Sequence, residues 1–171
     1  MFITAETDFG LKMLRQVPFN ESVVFSPLSV IFALSMVRTG AHGKTKSQIS
    51  DLLAKGKTDD DAITEHYSNL SSQIMNAKNG AQSRIANGFF LNKDFKIEKD
   101  YAQEIEEKFL AKVESYDFKK ADETAKVWFY FSRLIPLHRI IDDFVSNVTE
   151  GKIHDIVNAD SVRGELIDLM F

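Results

Sequence analysis

Ser26 and four histidines, His42, His66, His138 and His154, are the residues whose types could run acyl-transfer chemistry, with 25 Asp and Glu residues as orienting acids. A hydrolase serine stands on a Gly-x-Ser-x-Gly elbow, a turn tight enough to hold its hydroxyl clear of the backbone. Ser26 follows Phe25 and precedes Pro27, so that elbow is absent. The chain therefore reads as a non-enzyme with no catalytic residue. No two histidines stand at metal-ligand spacing, and Cys 0 excludes thiolate zinc, a cysteine nucleophile and disulfides. Glycine loops of the Walker and dinucleotide types are missing. No metal and no cofactor are expected.

Length and composition bound the rest. A chain of 171 residues, 44% hydrophobic with Phe 14, can bury a core and fits one domain. Its formal charge of −4 gives no electrostatic reason for a nucleic-acid or membrane partner. The start, Met1-Phe2-Ile3-Thr4-Ala5-Glu6, is acidic where a secretory leader needs basic residues and then a long apolar run. The expected setting is cytoplasmic. Asn20-Glu21-Ser22, Asn69-Leu70-Ser71 and Asn147-Val148-Thr149 match the glycosylation sequon and read as chance matches.

The elements follow from periodicity. Phe9, Met13 and Val17 predict a helix over 7–17, closed by Pro18. Val23-Val24-Phe25 predicts a short buried strand. Ser26 then caps a helix with Pro27 at its first position, and residues 28–37 are apolar almost all round until Gly40. A helix without a wet face belongs in the middle of a domain. Thr45-Lys46-Ser47-Gln48 fits a capping box before Ile49, Leu52 and Leu53. Asp59-Asp60-Asp61 opens a helix striped by Ile63, Tyr67, Leu70 and Ile74, and Asn79-Gly80 marks a turn. A strand over 85–91 carries Gly88. A helix through Tyr101, Ile105 and Phe109 and a strand over 113–118 follow. The irregular alternation gives an α+β class.

Several of these segments resemble serpins, the loop-inserting protease inhibitors. Ser26-Pro27-Leu28-Ser29 falls where that family opens its central helix, and Thr39-Gly40-Ala41 with Gly43-Lys44-Thr45 matches the following turn. Asn87-Gly88-Phe89-Phe90-Leu91 is similar to an early strand of the main sheet, with Asp100-Tyr101 in the next helix. Tyr116-Asp117-Phe118, Glu123–Lys126, Ile141–Val145 and Thr149–Ile153 look like the region of the helix that crosses the sheet. The likeness runs over nearly the whole chain. It implies an exposed bait loop cut by a serine or cysteine protease, after which the loop inserts as a new strand and strain is released. It also implies that Ser26, Pro27, Ser29 and Asn87 are sheet-control residues, with the small polar groups of Ser26, Ser29 and Asn87 bonding to strand backbone and governing whether the sheet opens. Local chemistry reads the serines as helix caps, compatibly, and Asn87 as part of a bulge with Gly88. An extracellular setting is also within the family's habit.

Two departures from the family pattern shape the functional expectation. Trp128 to Arg139 intervenes where serpins run almost directly into Ile-Asp-Asp-Phe. Pro136 forbids a continuous helix there, and Arg133 breaks a run already too short to span a membrane. It reads either as a partner loop exposing aromatics or as a tolerated insertion from altered splicing, and the lack of patterning favours the second. The end, Leu166-Ile167-Asp168-Leu169-Met170-Phe171, resembles the beginning of the next main-sheet strand. Residues 1–171 therefore read as the N-terminal portion of a serpin domain, without the reactive loop and not inhibitory alone. The alternative is a fragment that pairs with an intact serpin through exposed sheet edges, or with itself. Asp59, Asp60, Asp61 and Glu65, against only Lys78, argue against a heparin-type site.

Overall fold

Ser26 opens the helix on which everything else packs. Its Oγ accepts the N–H of Ser29 at 3.2 Å, and Pro27 takes the first helical position, where its missing N–H costs nothing. In the computed structural model the described residues are 2–18, 20, 22–55, 59–77, 83–117, 137–157 and 169–170. They form α1 (Phe2–Leu14), α2 (Pro27–Gly40), α3 (Gly43–Ala54), α4 (Asp60–Met75), β1 (Gly88–Asn92), α5 (Lys99–Phe109), β2 (Lys112–Tyr116), α6 (Leu137–Val148) and β3 (Leu169–Met170). The strands make one sheet in the order β2-β1-β3. β1 runs parallel to β2, with Gly88 opposite Lys112 and Asn92 opposite Tyr116. It runs antiparallel to β3, with Phe89 opposite Met170 and Phe90 opposite Leu169. The α+β class and the central place of α2 are as expected.

Ile31, Phe32 and Met36 of α2 are sealed by Leu53 and Ala54 of α3, Ile63 and Tyr67 of α4, and Ile105 and Phe109 of α5. Each large side chain so buried contributes about 1.5–3 kcal/mol. Tertiary burial of this kind, more than helix propensity, holds short helices. The Tyr67 hydroxyl donates to the Leu53 carbonyl at 3.0 Å, and burial pushes its pKa up.

Within this apolar packing lies Arg38, only 1% exposed. Its Nε donates to Ser50 Oγ at 2.7 Å, and Nη1 donates to the Asp60 carbonyl at 3.2 Å and to Thr64 Oγ1 at 3.3 Å. Nη2 pairs with the Asp60 carboxylate. Lys46 of α3 meets the same carboxylate at 2.8 Å. One cation thus ties α2, α3 and α4, and Lys46 with Arg38 holds the Asp60 carboxyl below its usual range.

Local rules lose at four places. α1 begins at Phe2 rather than Thr7, because Phe2 stacks on His66 of α4 at 3.8 Å and Glu6 reaches the same imidazole at 3.2 Å. The capping box at Thr45 does not form. α3 starts at Gly43 behind His42, which makes no side-chain cap, and the Lys46 and Ser50 contacts set its position. Val23-Val24-Phe25 is not a buried strand: it joins no sheet and Val24 is 101% exposed. The strand predicted from Ile85 begins at Gly88, one residue after Asn87, whose side chain bonds to the end of α5. Gly56, Asn79-Gly80, Phe118 and residues 128–136 of the predicted insertion lie outside the described residues, while Leu137–Arg139 form the first turn of α6.

Replacing Arg38 by Ala should lower unfolding free energy by about 3–5 kcal/mol. Arg38→Met should lose less than half of that. It fills the space, and Ser50 and Thr64 keep their own bonds to helix carbonyls. A depressed carboxyl stabilises above its ordinary value and stops doing so as pH falls through its lowered one. Urea midpoints should therefore drop below about pH 4, and Asp60→Asn should flatten that drop.

Candidate functional site

Asn87 is a polar side chain held at the mouth of β1. It is buried. Its Nδ2 donates to the Phe109 carbonyl at 2.8 Å, at the last residue of α5. Its own carbonyl accepts the Lys112 N–H at 2.9 Å, at the first residue of β2. Leu110, between those two, takes the left-handed conformation at φ 52°, which turns the chain from α5 into β2. One residue, through its side-chain amide and its backbone carbonyl, therefore joins a helix end to the start of two strands. The bulge reading of Asn87 does not hold, because the ladder starts in register at Gly88 opposite Lys112.

β1 shows the pleat's alternation. Phe89 and, on β2, Val113 face the helical core. Phe89 lies edge-on to Tyr101 with ring centres 5.9 Å apart. The Tyr101 hydroxyl donates to the Met36 carbonyl at 3.0 Å, and burial, aided by Glu104, pushes its pKa up to about 12. Gly40 allows this contact, since a Cβ there would sit 2.8 Å from Tyr101 Cε2. On the opposite face Phe90 meets Phe144 of α6 at 5.8 Å, edge-on. Gly88 leaves a notch beside them, where a Cβ would stand 2.4 Å from Phe90 Cε2 and 3.2 Å from Phe144 Cε1. Lys112 Nζ stands 5.5 Å over the Phe144 ring. The sheet is thus sandwiched between the α2–α5 layer and α6.

The four predicted sheet-control residues fall in two places. Ser26 and Ser29 sit on an exposed turn, where the Ser29 hydroxyl donates to Ser26 Oγ at 3.0 Å. Among the described residues neither bonds to a strand. Pro27 closes against α1, near enough to Gly10 that a Cβ there would lie 3.2 Å from Pro27 Cγ. Only Asn87 is at the sheet. Sequence reasoning did not single out Tyr101, Lys112 or Phe144 for the sheet. The usable signal was the pairing of Gly40 and Gly88 with aromatics elsewhere.

The histidines are spread over separate elements. His66 is stacked under Phe2, His154 contacts Asp155 at 2.7 Å on the surface, His42 precedes α3 and His138 lies in the first turn of α6. Ser26 bonds to Ser29, not to an imidazole. Among the described residues no group of three His, Asp or Glu is placed to hold a metal ion, and no helix is long and apolar enough to cross a membrane.

Asn87→Asp should cost more than Asn87→Ala. The first puts an acceptor against the Phe109 carbonyl; the second only leaves that carbonyl unpaired, at about 1–3 kcal/mol. A carboxyl in that position is relieved when protonated, so the Asp variant should approach the parent as pH falls from 7 toward 4, as read from urea midpoints of both proteins. Equal losses at both pH values would refute the role given to the Nδ2 donor.

Comparison with known proteins gives one consistent answer. The family model for serpin (serine protease inhibitor) matches residues 4–167. Leukocyte elastase inhibitor of Xenopus tropicalis is 32% identical over 168 residues, covering 94% of this chain and 40% of that protein. Serpin A3-7 of Bos taurus is 27% identical over 173 residues, covering 98% and 38%. Among solved structures, Manduca sexta serpin-12 aligns with a TM-score of 0.76 at 21% identity over 97% of this chain and 43% of its own. Arabidopsis AtSerpin1 in its native stressed conformation aligns with a TM-score of 0.70 at 22% identity, covering 90% and 36%. At such identities these two structures carry the fold alone. The chain spans about two fifths of the length of the curated relatives it matches.

Proposed function

The chain belongs to the serpin family, and on that footing we propose that it forms the framework portion of a serine-type protease inhibitor. The observation that carries this reading is the mounting of β1, which is tied to α5 and β2 by Asn87, backed by Tyr101 and crossed by α6 through Phe144. A strand so held can serve as one wall of a sheet that receives another strand. The partner of the whole inhibitor on this reading is a serine or cysteine protease, and the relatives' names, leukocyte elastase inhibitor and alpha-1-antitrypsin, support the serine class. Asn87 is the sheet-control residue, while Ser26, Pro27 and Ser29 act first as the cap of α2.

The proposal includes that these 171 residues, read as the framework without the family's bait loop, do not trap a protease by themselves. A cytoplasmic setting belongs to the same reading and finds support in the cysteine-free composition. Kallistatin has been solved with heparin, but α4 here has Asp60 and Asp61 in its first turn and no basic residue in its last. That charge pattern supports no heparin-type site. A second reading, pairing with an intact serpin, is favoured by the exposed apolar pair Val23-Val24.

Incubation of the purified 171-residue chain with elastase, trypsin and a papain-type cysteine protease should give cleavage or no reaction. A stoichiometric complex stable to SDS would overturn the framework reading. Mixing the chain with leukocyte elastase inhibitor separates the second reading: a changed inhibition stoichiometry or a new mixed oligomer supports it, and unchanged behaviour rejects it.

A further inference from the structure

We propose that the hollow where the end of α2, the end of β1 and the start of α5 meet is a binding site for a small arylalkylamine, a molecule with a flat apolar body and one protonated amine. This goes beyond the inhibitory reading and does not rest on it. The hollow has a volume of about 780 Å³, within the range of cavities that take a drug-sized ligand. Its interior is apolar, lined by Val37 of α2, Phe89 and Leu91 of β1, and Phe95, Ile97 and Tyr101 beyond them.

The walls are held in place by polar bonds on their far side. Tyr101 is fixed through its hydroxyl to the Met36 carbonyl at 3.0 Å and lies against bare Gly40. Phe95 is carried on a turn built by Asn92, which is buried. The Asn92 carbonyl accepts the Phe95 N–H at 2.9 Å, and its Oδ1 accepts the Asp94 N–H at 3.3 Å. Phe95 stays 46% exposed at the mouth of the hollow, so it has apolar surface to give up to a ligand.

Charge at the mouth decides which ligand. Glu98, Asp100 and Glu104 lie there, against Lys96 and His42. Glu104 is tied to Lys108 at 2.7 Å, whereas among the described residues Glu98 and Asp100 have no ion partner. Both stand at the start of α5, where the helix dipole favours the ionised carboxylate. An organic anion would be repelled by them. An ammonium gains both carboxylates while its apolar body gains the rings below, and such complementarity gives specificity.

Titration of the isotope-labelled full chain with tryptamine, neutral indole and indoleacetate separates charge from shape. Tryptamine should shift the amide signals of Leu91, Phe95 and Tyr101 and bind about three- to tenfold more tightly than indoleacetate, the effect of two exposed charge pairs. Glu98→Gln with Asp100→Asn should erase that preference and leave indole binding unchanged; if the double variant does not fold, Asp100→Asn alone should reduce the preference in part. Phe95→Ala, at an exposed position, should weaken all three ligands. No shift at those three residues, indoleacetate bound as tightly as tryptamine, or a preference that survives loss of both carboxylates would overturn the proposal. Shifts at Phe95 that grow with protein concentration before any amine is added would also overturn it, since a second copy of the chain would then be the occupant.

Discussion

A guanidinium enclosed by three helices is the constraint from which the rest of this structure follows. Arg38 cannot leave its site without carrying a charge through the apolar cluster, and it cannot stay without Ser50, Thr64 and Asp60 around it. A buried ion pair is weak evidence of net stability, because desolvation offsets much of the attraction. Its contribution here is to register. The fork of Arg38 matches donors to acceptors on α3 and α4 in one arrangement only, so the three helices are indexed along one another as well as packed. The partner carboxylate stays half exposed and shares Lys46, which lets the site remain charged.

From that index the sheet is placed. With α2 set, its last turn presents the Met36 carbonyl and bare Gly40 to Tyr101, and Tyr101 presents its ring to Phe89. α5 is thereby located, and its final carbonyl, on Phe109, meets the amide of Asn87. Each contact is a single side chain, yet together they run from α2 to the residue just before β1. Loss of either the Tyr101 hydroxyl or the Asn87 amide leaves a carbonyl unpaired inside, which costs more than the bond itself contributed.

Much of this was legible in the residues. The cap and proline at Ser26-Pro27, the apolar α2, the Tyr67 stripe and the strand around Phe89 all announce themselves by local chemistry and period. What failed did so where a distant partner outbid a neighbour. Thr45 lost its capping role to contacts made by Lys46 and Ser50, and α1 extended to Phe2 because His66 lies 64 residues away to receive it. Arg38 gave no signal at all: a lone basic residue near a helix end is ordinarily solvated, and only the fold shows it enclosed. Asn87 was named through a family likeness, and its donor bond to a helix terminus has no local signature. Ser26 and Ser29 were read as caps and as sheet-control groups; the described residues display the first role.

The two flanks of β1 differ in a way that bears on the inhibitory proposal. Toward β2 the ladder runs the full strand, and it is extended at both ends by Lys112 N–H to the Asn87 carbonyl and Lys93 N–H to the Tyr116 carbonyl. Toward β3 the described pairing covers Phe89 and Phe90. Separating β1 from β2 would break the bond from the Lys112 N–H to the Asn87 carbonyl, while the Asn87 side chain would keep its bond to α5. The β1–β2 pair is anchored at one end by a side-chain amide that lies outside the ladder and is held by a helix rather than by another strand.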